Sequence, residues 1–224
     1  MIEIKICGIT NTADALAAYE AGADAVGFIF YPQSPRYVLP EQAARMIREL
    51  PPDLCKVGVF VNTDLLNLKE IVSYSGIDLI QLHGNESPDF CKQLPAAQVI
   101  KSLAPNNRED LQEADAYQVR ALLIDAPRDP QNFQYGGTGK TADWNMAVAL
   151  KSRGPLILAG GLKAENAADA AAFVVPDAVD FNSGVEIHPR KKDPEKIKQV
   201  IEIVRRADPD IGNKREKIFS RIQA

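Results

Sequence analysis

Several short apolar runs in this 224-residue chain end on a polar residue. The run before Cys7 is one, and those before His83, Asp125 and Asn182 are others. A thiol, an imidazole and a carboxyl gathered at one place are groups that active sites use to hold and move protons. The last third carries a second pattern: Gly136-Gly137-Thr138-Gly139-Lys140, Gly160-Gly161 and Ser183-Gly184-Val185-Glu186. Glycine lets a backbone approach a ligand closely and aim its N–H groups at an anion. The first segment lacks the spacing of a P-loop, and no strand directly precedes it. Together the three suit a phosphorylated ligand, with Gly137, Thr138, Gly139, Gly160, Gly161, Ser183 and Gly184 as candidate phosphate contacts.

These residues need elements to position them. Residues 2–7, 25–29, 57–61, 79–82, 99–102, 121–124, 156–159 and 179–182 are short, rich in β-branched residues and bounded by turn formers, as strands are. Helical segments separate them. Thr10 or Asn11 is placed to cap a helix to about Glu20, Pro40 opens the next, and Asp64, Ser87 and Asp143 have the character of N-caps. Residues 165–173 and 194–206 complete the set. Eight strand–helix units with parallel pairing predict an α/β fold, a single (β/α)8 TIM barrel over residues 1–207, with an open doubly wound sheet as the alternative.

Strand residues alternate faces, one meeting the helices and the other the lumen. Ile4 and Ile6, Ile80 and Leu82, Leu122 and Ile124, and Val179 and Phe181 are predicted to face helices. Glu3, Lys5, Cys7, Gln81, His83, Leu123, Asp125, Asp180 and Asn182 then point inward. The polar ones at strand ends fall on the C-terminal rim, where barrels carry their active sites.

Bulk composition narrows the function classes. A net charge of -4 offers no footprint for nucleic acid or an anionic membrane surface. Three cysteines without paired spacing fit a reducing compartment, and the expected location is cytoplasmic. Cys55 and Cys91 read as small core hydrophobes. The two histidines lie far apart in sequence, so no metal pattern is visible. His188 with Arg190-Lys191-Lys192 reads as a solvated loop. Residues 126–141 form a long Pro- and Gly-rich connection of the kind that is often functional. Residues 208–224 form a charged C-terminal tail, expected to be loosely attached, in which Ile218, Phe219 and Ile222 could make one face of a short extra helix.

The motifs resemble those of the phosphoribosylanthranilate isomerases. Lys5-Ile6-Cys7-Gly8-Ile9-Thr10 is similar to the family's opening. Gly27-Phe28-Ile29-Phe30-Tyr31, Ser34-Pro35-Arg36-Tyr37, Val57-Gly58-Val59-Phe60-Val61-Asn62 and Gln81-Leu82-His83-Gly84 follow in order. Then come Gly136 to Lys140 with Asp143-Trp144, Ala159-Gly160-Gly161-Leu162 with Asn166, and Ser183 to Glu186. The match runs from about residue 3 to residue 206, leaving the tail outside it. Ala142 stands where the family usually has Phe, and Phe181-Asn182 where it usually has a small apolar residue and Ser.

The resemblance implies an Amadori rearrangement of N-(5-phosphoribosyl)anthranilate to 1-(2-carboxyphenylamino)-1-deoxyribulose 5-phosphate in tryptophan biosynthesis. It implies Cys7 as base and Asp125 as acid, Arg36 gripping the substrate carboxylate and His83 positioning substrate or a catalytic partner. Strands one and six lie on roughly opposite sides of the barrel, which suits an acid and a base flanking one sugar. The roles predict a Cys7 thiol lowered by cations such as Lys5, and an Asp125 carboxyl raised above about 4. Asp180 is expected to bind Lys5 or the first-strand loop. The internal redox isomerisation calls for no cofactor and no metal. The partner is a small phosphorylated substrate, with no nucleic acid and no membrane, for a monomer or homodimer. Two rivals remain: a non-catalytic sugar-phosphate-binding barrel, and the related histidine-pathway Amadori isomerase, which is expected to carry Asp at both key rim positions.

Overall fold

A computed structural model of the protein describes residues 1–127, 141–209, 215 and 217–220. Eight parallel strands close into a barrel: β1 (Glu3–Ile6), β2 (Ala25–Ile29), β3 (Cys55–Phe60), β4 (Leu79–Leu82), β5 (Val99–Leu103), β6 (Ala121–Ile124), β7 (Leu156–Leu158) and β8 (Ala178–Phe181). Closure is made by β1 and β8, with Lys5 opposite Asp180 and Ile6 opposite Phe181. That pairing excludes the open sheet.

The predicted alternation holds. Ile4, Ile6, Ile80, Leu82, Leu122, Ile124, Val179 and Phe181 all belong to one apolar cluster, shared with residues of the surrounding helices. Ala25, Val57, Leu79, Ile100, Leu123, Ile157 and Ala178 form a second cluster, inside the barrel. Both faces of each strand are buried, so the runs are nearly continuous in hydrophobicity, as parallel sheets require.

Around the barrel lie α1 (Thr12–Glu20), α2 (Pro40–Glu49), α3 (Leu65–Ser75), α4 (Pro88–Cys91), α5 (Trp144–Leu150), α6 (Ala164–Val174) and α7 (Pro194–Ala207). The side chains of Asn11, Asp64, Ser87 and Asp143 each accept a backbone N–H of the first turn, as N-caps do. The fourth and fifth units depart from the expected strand–helix pattern. α4 is a single turn, and the chain meets Pro95 soon after it. After β5 a 3-10 helix, Asp110–Ala116, stands in place of an α-helix. Local side-chain bonds compete with helix formation there: Asn107 Oδ1 accepts from the N–H groups of Glu109 and Asp110, and Asp110 accepts from Asn106 N–H.

Beyond β8 the chain forms an antiparallel hairpin of β9 (Glu186–His188) and β10 (Lys191–Lys192). This corrects the expectation of a solvated loop. Lys192 is only 1% exposed, and Lys191 Nζ reaches Asp14 Oδ1 at 2.5 Å.

The tail is also corrected. Its described residues close the N-terminal mouth of the barrel, with Ile218 and Phe219 buried in the inner cluster. Their N–H groups donate to Glu3 Oε2 at 2.5 and 3.1 Å. Arg120 holds the same segment from the other side, donating to Ile218 O at 2.5 Å and to Ser220 Oγ at 2.7 Å. Ile218 and Phe219 sit in a bend, not a helix, and Ile222 lies outside the described residues. Two apolar side chains buried this way are worth about 1.5–3 kcal/mol each. No described helix is long and apolar enough to cross a membrane.

Candidate active site

The C-terminal rim gathers the polar strand ends. Cys7 follows β1, and its N–H donates to Phe181 O at 2.8 Å. Its thiol lies beside Ile29 and Val59, with Tyr31 packed against them. Gly27 makes room for it: a Cβ there would come within 2.7 Å of Cys7 Sγ and 3.1 Å of Lys5 Cε. Burial pushes the thiol up, and Asp180 adds to this; Lys5 and Lys192 oppose the rise without cancelling it. The expectation of a lowered thiol is therefore overturned, because desolvation outweighs the nearby cations.

Lys5 Nζ bonds Asp180 Oδ2 at 2.6 Å in the lumen, the pairing expected for Asp180. Burial alone would lower the ammonium, but Asp180 and Cys7 beside it carry its pKa up. Lys5 remains a cation in the barrel's centre.

Asp125 follows β6. Its Oδ1 accepts Ala126 N–H at 2.8 Å, and its Oδ2 lies 3.1 Å from His83 Nε2. His83 Nδ1 in turn lies 2.9 Å from Gln81 Nε2, which also reaches Ser102 Oγ at 3.3 Å. His83 Nε2 carries a proton toward Asp125 Oδ2. Burial alone would raise the Asp125 carboxyl. The hydrogen bond and charge of His83, the Ala126 N–H and Lys5 win, and hold it below its ordinary value. This overturns the expected raised carboxyl.

Arg36, on the loop after β2, is not the exposed cation its loop position suggests. It is 7% exposed and donates from Nε to Glu186 Oε1 at 2.8 Å and from Nη2 to Glu186 Oε2 at 2.6 Å. Glu186 also accepts from Lys192 Nζ at 3.1 Å. Burial alone would raise the Glu186 carboxyl; Arg36 and Lys192 overcome it and hold the group low.

Glycines bring three loops together beside this cluster. Gly160 and Gly161, after β7, both sit at positive φ, 79° and 62°. A Cβ on Gly160 would lie 2.5 Å from Ala126 N, and one on Gly184 would lie 2.0 Å from Leu162 O. The loops after β6, β7 and β8 thus pack backbone to backbone. Asn166, in the first turn of α6, donates to Gly161 O at 3.0 Å and fixes that loop. Ser183 and Gly184 lie in a 3-10 turn directly after β8. Loops after the seventh and eighth strands, beside a helix N-terminus, present N–H groups suited to a phosphate. Gly137, Thr138 and Gly139 lie outside the described residues.

The structure therefore brings Cys7, His83 and Asp125 to one rim, with Gly160, Gly161, Ser183 and Gly184 at the strand ends beside them. Gln81 was legible as inward-facing but not as the partner of His83. Glu186 and Lys192 escaped the strand-parity argument because they lie past the end of β8, where alternation says nothing. Among the described residues no group of three or more His, Cys, Asp or Glu is arranged to hold a metal ion.

Residues 4–203 match the family described as N-(5'phosphoribosyl)anthranilate (PRA) isomerase. A curated N-(5'-phosphoribosyl)anthranilate isomerase of Syntrophus aciditrophicus is 51% identical over 206 residues, covering 92% of this chain and 88% of the relative. One from Citrifermentans bemidjiense is 50% identical, covering 90% of this chain and 96% of the relative. The crystal structure of the Thermotoga maritima phosphoribosyl anthranilate isomerase is 43% identical, with a TM-score of 0.84 over 92% of this chain and 99% of that one. A phosphoribosyl anthranilate isomerase solved in complex with reduced 1-(o-carboxyphenylamino)-1-deoxyribulose 5-phosphate is 40% identical, with a TM-score of 0.81. With Cys7 and Asp125 on one rim of a closed barrel, and the match spanning that barrel, the chain belongs to the N-(5'-phosphoribosyl)anthranilate isomerase family.

Proposed function

We propose that Cys7 is the base and Asp125 the acid of the family's reaction in this chain. The chain is an isomerase of tryptophan biosynthesis, and the reaction is the Amadori rearrangement of N-(5-phosphoribosyl)anthranilate. The observation that carries the assignment of roles is the placement of a thiol and a carboxyl at the C-terminal ends of β1 and β6, three strands apart around one rim.

Three proton movements are needed. Asp125 protonates the furanose ring oxygen, and the C1–oxygen bond breaks to leave the protonated imine. Cys7, as thiolate, takes the proton from the ribose C2 carbon to give the enolamine. Tautomerisation yields the ketone. Hydrogen is redistributed within one molecule, so the chemistry calls for no nicotinamide and no metal.

The resting site has the opposite distribution, a thiol pushed up by burial and a carboxylate held low by His83. The competent form carries the same single proton moved from Cys7 to Asp125. His83 orients Asp125 through their hydrogen bond.

In this reading Gly160, Gly161, Ser183 and Gly184, with Gly137, Thr138 and Gly139, hold the substrate phosphate, and Arg36 grips the anthranilate carboxylate. The enzyme works in the cytoplasm as a monomer or homodimer.

The test is to form the fluorescent substrate in situ from anthranilate and phosphoribosyl pyrophosphate and follow its decay. Wild-type protein is expected to consume it, with Cys7→Ala and Asp125→Asn slower by about 100-fold or more while remaining folded. Turnover surviving either substitution removes that residue from the mechanism. A folded wild type that binds inorganic phosphate without turnover supports a sugar-phosphate sensor instead.

A further inference from the structure

We propose that Glu186 is a positioning residue for the carboxylate end of the substrate, acting through Arg36 and held in place by the β9–β10 hairpin. The proposal rests on the reading of Arg36 as the group that grips the anthranilate carboxylate.

A guanidinium on a long loop has many rotamers, and holding it in one orientation is what makes it selective. Here Glu186 takes the Nε–Nη2 edge of Arg36 in a two-bond fork, at 2.8 and 2.6 Å. The third nitrogen, Nη1, has no protein partner among the described residues. One edge is spent on orientation and the remaining donors are left for a ligand. Gly8 clears the path of the stem: at φ 75° it carries no Cβ, and one built there would lie 2.6 Å from Arg36 Cδ.

The hairpin also fixes the loop that carries Arg36. Arg190, in the turn between β9 and β10, donates from Nη1 to Pro35 O at 3.0 Å and to Tyr37 O at 3.1 Å, on both sides of Arg36. The backbone oxygen of Arg190 accepts from Thr10 Oγ1 at 2.8 Å, tying the turn to the loop after β1. Backbone and side chain of the Arg36 loop are thus both held by one hairpin.

Charge counting identifies what the site accepts. With Cys7 as a neutral thiol, Arg36 and Lys192 are two cations around one carboxylate, which leaves one positive charge uncompensated. Lys192 donates to Asn182 O, Asn182 Oδ1 and Glu186 Oε1, at 3.0, 3.1 and 3.1 Å. Its three N–H donors are matched by three acceptors, so the charge left for a ligand is that of Arg36. A monoanion such as a benzoate-type carboxylate neutralises the cluster.

Glu186 is not a placeholder that the ligand displaces. Its departure would strip the nearly fully buried Lys192 of its counter-charge, and its backbone oxygen is held by Lys196 Nζ at 2.8 Å.

The experiment compares two substrates: the anthranilate-derived one, and N-(5-phosphoribosyl)aniline, which keeps sugar and phosphate but lacks the carboxylate. In Glu186→Gln, KM for the anthranilate-derived substrate is expected to rise on the order of tenfold, the scale of one charge-assisted hydrogen bond. The kcat, and both constants for the aniline compound, should change far less than KM for the anthranilate-derived substrate. Glu186→Asp, which keeps the charge but draws it back by one methylene, should show the same selective KM rise at smaller size. It carries the comparison if thermal melting shows Glu186→Gln unfolded.

Equal KM rises for both substrates would reduce Glu186 to a structural residue and overturn the proposal. So would unchanged constants, or a lower KM for the carboxylated substrate, which marks Glu186 as a competitor. A wild type that does not distinguish the two substrates overturns the Arg36 reading itself, and the proposal with it.

Discussion

His83 and Asp125 share a hydrogen bond of 3.1 Å between Nε2 and Oδ2 at the barrel rim, with the Gln81 amide 2.9 Å behind the imidazole. Burial works against the ionised Asp125, and His83 is the main group that restores it. In His83→Ala the burial stays and the bond goes, so the carboxyl rises. The acid limb of the kcat/KM profile is expected to move to higher pH in the variant. A group held below its unfolded value stabilises the fold above that value and loses the contribution as pH falls through the folded one. The stability gap between wild type and His83→Ala should therefore be full at pH 7 and shrink below about pH 4. Urea midpoints at the two pH values check this, and an equal gap at both would refute the assignment.

The Lys5–Asp180 pair fills the lumen beneath the site, at 2.6 Å and away from water. Lys5→Met removes one charge and leaves the other buried and unpaired. The expected loss is about 3–5 kcal/mol by denaturant titration. Lys5→Met with Asp180→Leu should recover much of this, because no isolated charge remains. A double variant as unstable as the single one would mean that packing, not charge, dominates at that position.

Removing residues 208–224 exposes the mouth that Ile218 and Phe219 cover and strips Glu3 of two N–H donors. The loss is expected at about 3–6 kcal/mol, lowering Tm by roughly 2–4 °C for each kcal/mol. The tail lies at the mouth opposite the active site, so kcat/KM of the folded truncated protein should equal that of wild type. Scanning calorimetry and the fluorescence assay read the two effects separately.

Gly184→Ala tests the phosphate reading of the loops after β7 and β8. Its new Cβ meets Leu162 O at 2.0 Å, a backbone atom that cannot turn aside. The two loops must part, and KM should rise by about tenfold or more with a smaller change in kcat. Inhibition by inorganic phosphate should weaken in parallel. Intact phosphate inhibition in a folded variant would place the phosphate elsewhere.

Local rules account for much of what the chain shows before folding. The alternation in residues 3–7 already sends Ile4 and Ile6 to the helices and Lys5 inward, because side chains on a strand must take opposite faces. Asn11, Asp64, Ser87 and Asp143 announce helix starts because each supplies an oxygen where the first turn has free N–H groups. Cys7 and Asp125 were legible as rim residues for the same reason: each is the last inward position of its strand. Arg36 was legible by motif alone, and its partner was not, since Glu186 lies 150 positions away in sequence.

The sequence by itself determined the barrel, the faces of its strands and the residues at its rim, all of which follow from periodicity and capping within a few residues. The tertiary structure decided the electrostatics and the long-range pairings. Whether Cys7 is raised or lowered depends on burial set against Lys5, Lys192 and Asp180 at once, and only the closed barrel fixes that balance. The tail read as a charged, separable end, yet it seals the barrel: Glu3 and Arg120 meet its backbone atoms across 215 and 98 positions, contacts that no local pattern encodes.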